Sequence, residues 1–216
     1  MRSGSDWRRR DWLAHCSLLL GPLPAWALAD PRKTLLVVGA SLSAEYGLAR
    51  GAGWVALLQA RIDEQKLPYA VVNASISGDT TSGGRSRLPA LLAPPRPDVV
   101  VIELGGNDAL RGLPLSMTQD NLTAMVRAAK AAGARVLLVG MQVPPNYGRK
   151  YGDDFAALFG GVARAESVAL VPFLMKGVAD APDAEALFQP DRIHPKAEAH
   201  PRILDNVWPV LRPLLK

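Results

Sequence analysis

Four short segments carry residues that could do acyl-transfer chemistry. Gly39-Ala40-Ser41-Leu42-Ser43 sets two hydroxyls just past an apolar run, Leu35 to Val38. Asn73 to Thr80 reads NASISGDT, Glu103 to Asp108 reads ELGGND, and Asp191-Arg192-Ile193-His194-Pro195 sets a carboxylate shortly before an imidazole. Histidine is the side chain best suited to moving protons near neutral pH. A carboxylate three residues earlier lies on the same side of a helical turn, so Asp191 could hold one ring nitrogen of His194 and leave the other for the Ser41 hydroxyl. Charge that develops on an acyl oxygen needs hydrogen-bond donors aimed at it. The candidates are the N–H groups of Ser41 and Gly78 and the side-chain amide of Asn107. Taken singly, each segment also has a plainer reading. Ser41 or Ser43 could cap a helix, as could the residues after Gly78. Gly106-Asn107-Asp108 could be a tight turn, and His194 a loop histidine beside a solvated Asp191.

These segments must be held by something, and the pattern around them alternates strand and helix. Leu35 to Val38 reads as a strand buried on both faces. Further strands are expected over Tyr69–Ala74, Val99–Leu104, Arg135–Gly140 and Val168–Phe173. Trp54 to Glu64 has the apolar spacing of a helix face, and a short helix closes over Leu88–Leu92. Ser116 with Gln119 suggests a capping box for a helix through about Ala132, stopped by Gly133. Asp153 or Asp154 suggests a cap for a helix running to about Ser167. Pro201 suits the first turn of a last helix, with His200 at its start and Pro209 as an expected kink. Strands separated by helices imply right-handed crossovers and a parallel sheet. The fold expected is a three-layer α/β/α sandwich on a five-stranded parallel sheet, flavodoxin-like in order.

Composition narrows the function classes. The chain has 216 residues, enough for one domain with a substantial core. Residues 1–29 look like an export signal: Arg8, Arg9 and Arg10, then a mostly apolar stretch from Trp12 to Trp26, then Ala27-Leu28-Ala29 as a cleavage site. His15 before Cys16 argues against a lipid anchor. The expected domain is therefore 30–216, in an exported, periplasmic or secreted protein. Removing 1–29 takes four arginines and two aspartates with it, so the net charge falls from +5 to +3. No Lys/Arg cluster marks a nucleic-acid footprint, and no apolar run approaches the ~20 residues that span a bilayer. The only cysteine, Cys16, is lost as well, which leaves no thiol nucleophile and no thiolate metal site.

Together the four segments resemble the sequence blocks of the SGNH, or GDSL, hydrolases, in the family's order. Ser41 stands at the serine of the first block, Gly78 at the glycine of the second, Asn107 at the asparagine of the third, and Asp191 with His194 at the D-x-x-H of the last. NASISGDT, ELGGND and the PPNYG of Pro144–Gly148 look like the bacterial thioesterase, lysophospholipase and arylesterase branch. The resemblance implies a serine esterase acting on small acyl esters, lysolipids and thioesters through an acyl-enzyme, with no metal or cofactor. Ser41, Asp191 and His194 would be catalytic, and Ser41, Gly78 and Asn107 would bind the oxyanion. Loops of this branch line the acyl pocket, which makes Leu110, Leu113, Pro144 and Pro145 candidate lining; ordinary loop packing is the alternative. Two other functions fit the same segments: an acyltransferase or carbohydrate deacetylase of the same superfamily, and a non-catalytic α/β binding module.

One departure stands beside the nucleophile. The family's block is G-D-S-L, and this chain has Ala40 where the aspartate would be. The substitution removes a carboxylate but leaves the backbone donors and the Asp191–His194 pair. Ala40→Asp is therefore expected to change the ester hydrolysis rate or its pH profile without creating activity. A wild type that is inactive until Ala40→Asp is introduced would refute this.

Overall fold

The computed structural model describes residues 32–216, and the expected export signal over 1–29 lies outside them. Leu35 to Val38 form the middle of strand β1 (Lys33–Gly39). The other strands are β2 (Tyr69–Asn73), β3 (Val99–Glu103), β4 (Arg135–Val139) and β5 (Ala169–Val171). Between and after them run α1 (Trp54–Glu64), α2 (Thr81–Leu91), α3 (Gly106–Leu110), α4 (Leu115–Ala131), α5 (Arg149–Glu166), α6 (Ala184–Leu187) and α7 (His200–Leu211). The strands pair in the order β2-β1-β3-β4-β5, all parallel, which is the flavodoxin-like order expected from the sequence.

Both faces of the sheet are covered, and this is why the strands are apolar without interruption. Successive side chains of β1 point to opposite faces. Leu36 and Val38 join a core layer with Leu88, Leu122, Met125, Phe155 and Phe159 from α2, α4 and α5. Leu35 and Val37 join a second layer with Trp54, Leu58, Ile203 and Val207 from α1 and α7. Each such Leu, Val or Phe contributes about 1.5–3 kcal/mol on leaving water.

Several helix boundaries differ from the sequence reading. The Ser116–Gln119 capping box does not form, because α4 begins at Leu115, two residues before the start that a Ser116 cap would give. Pro114, with φ near the helical value, already turns the chain there, and Ser116 lies inside the first turn. Neither Asp153 nor Asp154 caps α5, which starts at Arg149 directly after Gly148 in a positive-φ conformation. Asp154 instead meets Lys150 one turn back at 2.6 Å. The strands expected to end at Ala74, Leu104 and Gly140 stop one residue sooner, and β5 is only three residues long. The last helix continues through Pro209 to Leu211.

His200, the first residue of α7, is buried, and its Nδ1 accepts the Trp54 N–H at 3.0 Å. It thereby satisfies one of the open amides at the start of α1, where Gly53 offers no side-chain cap. Burial pushes the His200 pKa below its ordinary 6.5. The unfolded chain then takes up a proton before the folded one. The stability contributed by the neutral ring is present above pH 6.5 and is lost as the pH falls below it. His200→Gln keeps an acceptor but does not titrate. Its thermal midpoint is expected to fall less than that of the wild type between about pH 7.5 and 5.5. Equal slopes in the two proteins would show that His200 does not supply this dependence.

Candidate active site

In an open parallel sheet, ligands bind beyond the carboxyl ends of the strands where the strand order reverses. Here that point lies between β1 and β3, the two strands that lead into Ser41 and Asn107. His194 arrives from the loop before α7, with Nε2 2.8 Å from Ser41 Oγ. Its Nδ1 lies 2.7 Å from Asp191 Oδ2. A carboxylate only accepts, so Nδ1 carries the proton, and Nε2 is left to accept from the serine hydroxyl.

The sequence spacing suggested a helical turn for Asp191 and His194, and the structure has a tighter device. Arg192 adopts φ +57°. Asp191 Oδ1 then accepts the amides of Ile193 and His194 at 2.9 and 3.0 Å, an aspartate turn. Burial would raise the Asp191 pKa. The two amides and the imidazole outweigh it and hold the carboxyl down at about 2.

The proposed oxyanion donors sit on the loops after β1, β2 and β3. Asn107 is the second residue of α3 rather than part of a simple turn. Its Nδ2 donates to the Asp79 carbonyl at 2.9 Å, which leaves the amide's other N–H for a ligand. Gly78 immediately precedes Asp79, and its carbonyl accepts Arg111 Nη2 at 2.9 Å. Arg87 of α2 holds this loop in turn: Nε donates to Asp79 Oδ2 at 2.8 Å, and Nη1 donates to the Ala74 carbonyl. Deeper in, Asp108 is fully buried and accepts from the Thr81 amide at 2.8 Å and from the Thr81 hydroxyl; Asn121 donates to that hydroxyl at 3.1 Å. The polar groups that follow β2 and β3 are thus tied together.

Glu103, the last residue of an apolar strand and the first of the ELGGND segment, anchors the turn that carries Ser41. It is buried at the end of β3, where Oε2 accepts the Ala40 amide at 3.1 Å and the Ser43 hydroxyl at 2.6 Å. Gly39 is opposite it in the ladder, and a Cβ there would lie 2.6 Å from Oε2. Burial pushes the Glu103 pKa up to about 7 against the pull of the Ser43 and Ala40 bonds. In the sequence Glu103 closes a run of Val and Ile and opens the ELGGND string, which Asp108 ends; Asp79 lies in NASISGDT, and Arg87 carries no signal beyond being polar.

A cavity of about 530 Å³ opens beside Ser41 and Asn107 and runs past Met141 to Phe173, Met175 and Phe188. Of the four candidate lining residues, Leu110, Pro144 and Pro145 border this cavity and Leu113 does not; Gly78 is not among its lining residues either. The Leu113 amide donates to the Asp108 carbonyl at 2.9 Å. Among the described residues, no group of three His, Cys, Asp or Glu stands close enough to hold a metal ion.

Residues 37–202 match the model of the GDSL-like lipase/acylhydrolase family. The chain is 55% identical over 183 residues to esterase TesA of Pseudomonas aeruginosa, covering 85% of this chain and 90% of that one. It is 43% identical over 182 residues to thioesterase 1/protease 1/lysophospholipase L1 of Escherichia coli, covering 84% and 85%. Among solved structures, a crystal structure of TesA superposes with a TM-score of 0.81 over 85% of this chain and all of that one. A psychrotrophic esterase, EstA of Pseudoalteromonas sp., inhibited by monoethylphosphonate, superposes with 0.78 at 40% identity, over 85% and 98% of the two chains.

The Glu103 carboxyl is expected to leave a mark on stability. Its folded pKa lies above the ordinary 4.5, so the unfolded chain loses the proton first. Its contribution is complete below pH 4.5 and declines as the pH rises through about 7, by on the order of 3 kcal/mol in all. Glu103→Gln keeps an acceptor for Ala40 and Ser43 without the charge. The thermal midpoint of the variant should gain on that of the wild type as the pH rises over this interval, then hold level. A difference independent of pH would contradict the raised pKa.

Proposed function

Since the chain belongs to the GDSL-like lipase/acylhydrolase family and is a serine ester hydrolase, we propose that Ser41, His194 and Asp191 are its catalytic triad. The observation that carries this assignment is the unbroken line from Asp191 Oδ2 through His194 to Ser41 Oγ, with contacts of 2.7 and 2.8 Å. Ser41 Oγ attacks the acyl carbonyl while His194 Nε2 takes the hydroxyl proton. Asp191, whose carboxyl is held down at about 2, is ionised and steadies the imidazolium that results. The Ser41 and Gly78 amides and the free N–H of Asn107 receive the oxyanion. His194 returns the proton to the leaving alcohol or thiol. It then activates a water that cleaves the acyl-enzyme to the carboxylic acid.

The apolar cavity would take the acyl chain, with Leu110, Pro144 and Pro145 along its wall and Ser41 at its polar end. The substrates we propose are carboxylic esters, including aryl esters and lysophospholipids, and acyl thioesters, in keeping with the relatives named esterase TesA and thioesterase 1/protease 1/lysophospholipase L1. We place the working enzyme outside the cytoplasm, as residues 30–216 after removal of 1–29. The support is the basic, apolar and A-x-A succession of that segment. No helix among the described residues is long and apolar enough to cross a membrane.

A panel of p-nitrophenyl esters of graded chain length tests these roles. Ser41→Ala should lose about 10⁴-fold or more in kcat and all labelling by a fluorophosphonate. Asn107→Ala should lose about 10²–10³ in kcat, the usual effect of one oxyanion donor, while remaining folded. A labelled, active Ser41→Ala protein would overturn the triad, and an unchanged Asn107→Ala rate would remove Asn107 from the site.

A further inference from the structure

Ser41 and His194 come from segments 153 positions apart, and the sheet does not join them. One follows β1; the other sits in a loop outside the strand ladder. Two side chains bridge the gap. The Tyr46 amide donates to the Ser41 carbonyl at 3.3 Å, and its ring lies against the His194 imidazole, with centroids 4.3 Å apart and planes tilted by 36°. Gln189 Nε2 then donates both to the Tyr46 carbonyl at 2.9 Å and to the Pro195 carbonyl at 3.1 Å. The Gln189 backbone belongs to the histidine loop: its amide donates to the His194 carbonyl at 2.8 Å, beside an antiparallel bridge between Phe188 and Pro195. Gly47 makes room for the bridge. It has φ +70°, and a Cβ at that position would lie 2.1 Å from Gln189 Oε1.

We propose that Gln189 is a positioning residue whose side-chain amide pins the turn carrying Ser41 to the loop carrying His194, with Tyr46 as the spacer that sets the distance between them. Glutamine suits the task chemically. One nitrogen offers two donors in a fixed plane, which matches two carbonyls from separate segments. Glutamate would face the same carbonyls with a carboxylate that only accepts, and asparagine is a methylene too short. Gln189 touches neither Ser41 Oγ nor the His194 ring, so its effect passes through geometry. A displacement of about 1 Å at a reacting pair can cost about 10²-fold in rate.

The proposal rests on the assignment of Ser41 and His194 as nucleophile and base, so labelling of the wild type by a fluorophosphonate is measured alongside it. Gln189→Met keeps the length and loses both donors. It should lower kcat for a p-nitrophenyl ester by about ten- to a hundredfold, with KM held within about twofold; the phosphonate labelling rate should fall in parallel. Rates are referred to the folded fraction, and Gln189→Asn, which keeps the loop polar, serves if the Met variant does not fold. A folded variant with wild-type kcat, or with a loss confined to KM, overturns the brace while leaving the triad intact. A wild type that resists labelling overturns the assignment of the nucleophile itself.

Discussion

A hydroxyl near one end of the domain and an imidazole near the other must stand within hydrogen-bond reach, and most of the polar architecture follows from that single requirement. The parallel sheet meets half of it. Because β1, β2 and β3 run the same way, the chain leaves each of them at one edge, and the segments bearing Ser41, Gly78 and Asn107 emerge side by side. The sheet cannot supply the other half, since its strands are covered on both faces and tolerate almost nothing but aliphatic side chains. His194 therefore comes from a loop, and a loop must be fastened. The aspartate turn at Asp191 fixes the ring, and the amide of Gln189 fastens the loop to the turn after β1.

The fastening is done by buried polar groups, which would be costly if left unpaired. From β3, Glu103 grips the turn that carries Ser41, Arg87 and Asp79 hold the loop after β2, and Asp108 joins α2 to α3 and α4 through Thr81 and Asn121. Glu103 and Asp108 lie at or just past the end of β3, where the apolar interior gives way to polar loops. Two buried groups, Glu103 and His200, give opposite responses to pH. A carboxyl that prefers its proton in the fold weakens the structure as the pH rises. A ring that prefers to be neutral weakens it as the pH falls. Glu103 and His200 bear on the same working range from its two sides.

How much of this could be read from residues alone depended on the kind of signal. The strands were legible because burial on both faces leaves an unmistakable aliphatic run, as at Leu35–Val38 and Val99–Ile102, and their alternation with helices implied the sheet. The residues with chemistry of their own, Ser41, Asn107, Asp191 and His194, stood out by type and by order along the chain. Helix starts were less legible. Ser116 and Asp153 look like caps by composition, but backbone turns at Pro114 and Gly148 had already begun the helices. Least legible were the residues that act through a neighbour. Gln189, Arg87 and Asp108 are ordinary polar residues in the sequence, and their roles exist only in the distances to partners such as Tyr46, Asp79 and Thr81. Leu113 marks the converse: an apolar residue in the expected lining that is not among the residues of the cavity wall.

The cavity wall has a provenance that bears on how this protein could diverge. Pro144 and Pro145 follow β4, and Phe173 and Met175 follow β5. The connection from β4 to α5 and residues 172–183 after β5 carry none of Ser41, Asn107, Asp191 or His194. Replacements along that part of the cavity would reshape its far wall and leave those four residues, housed in other segments, unaltered.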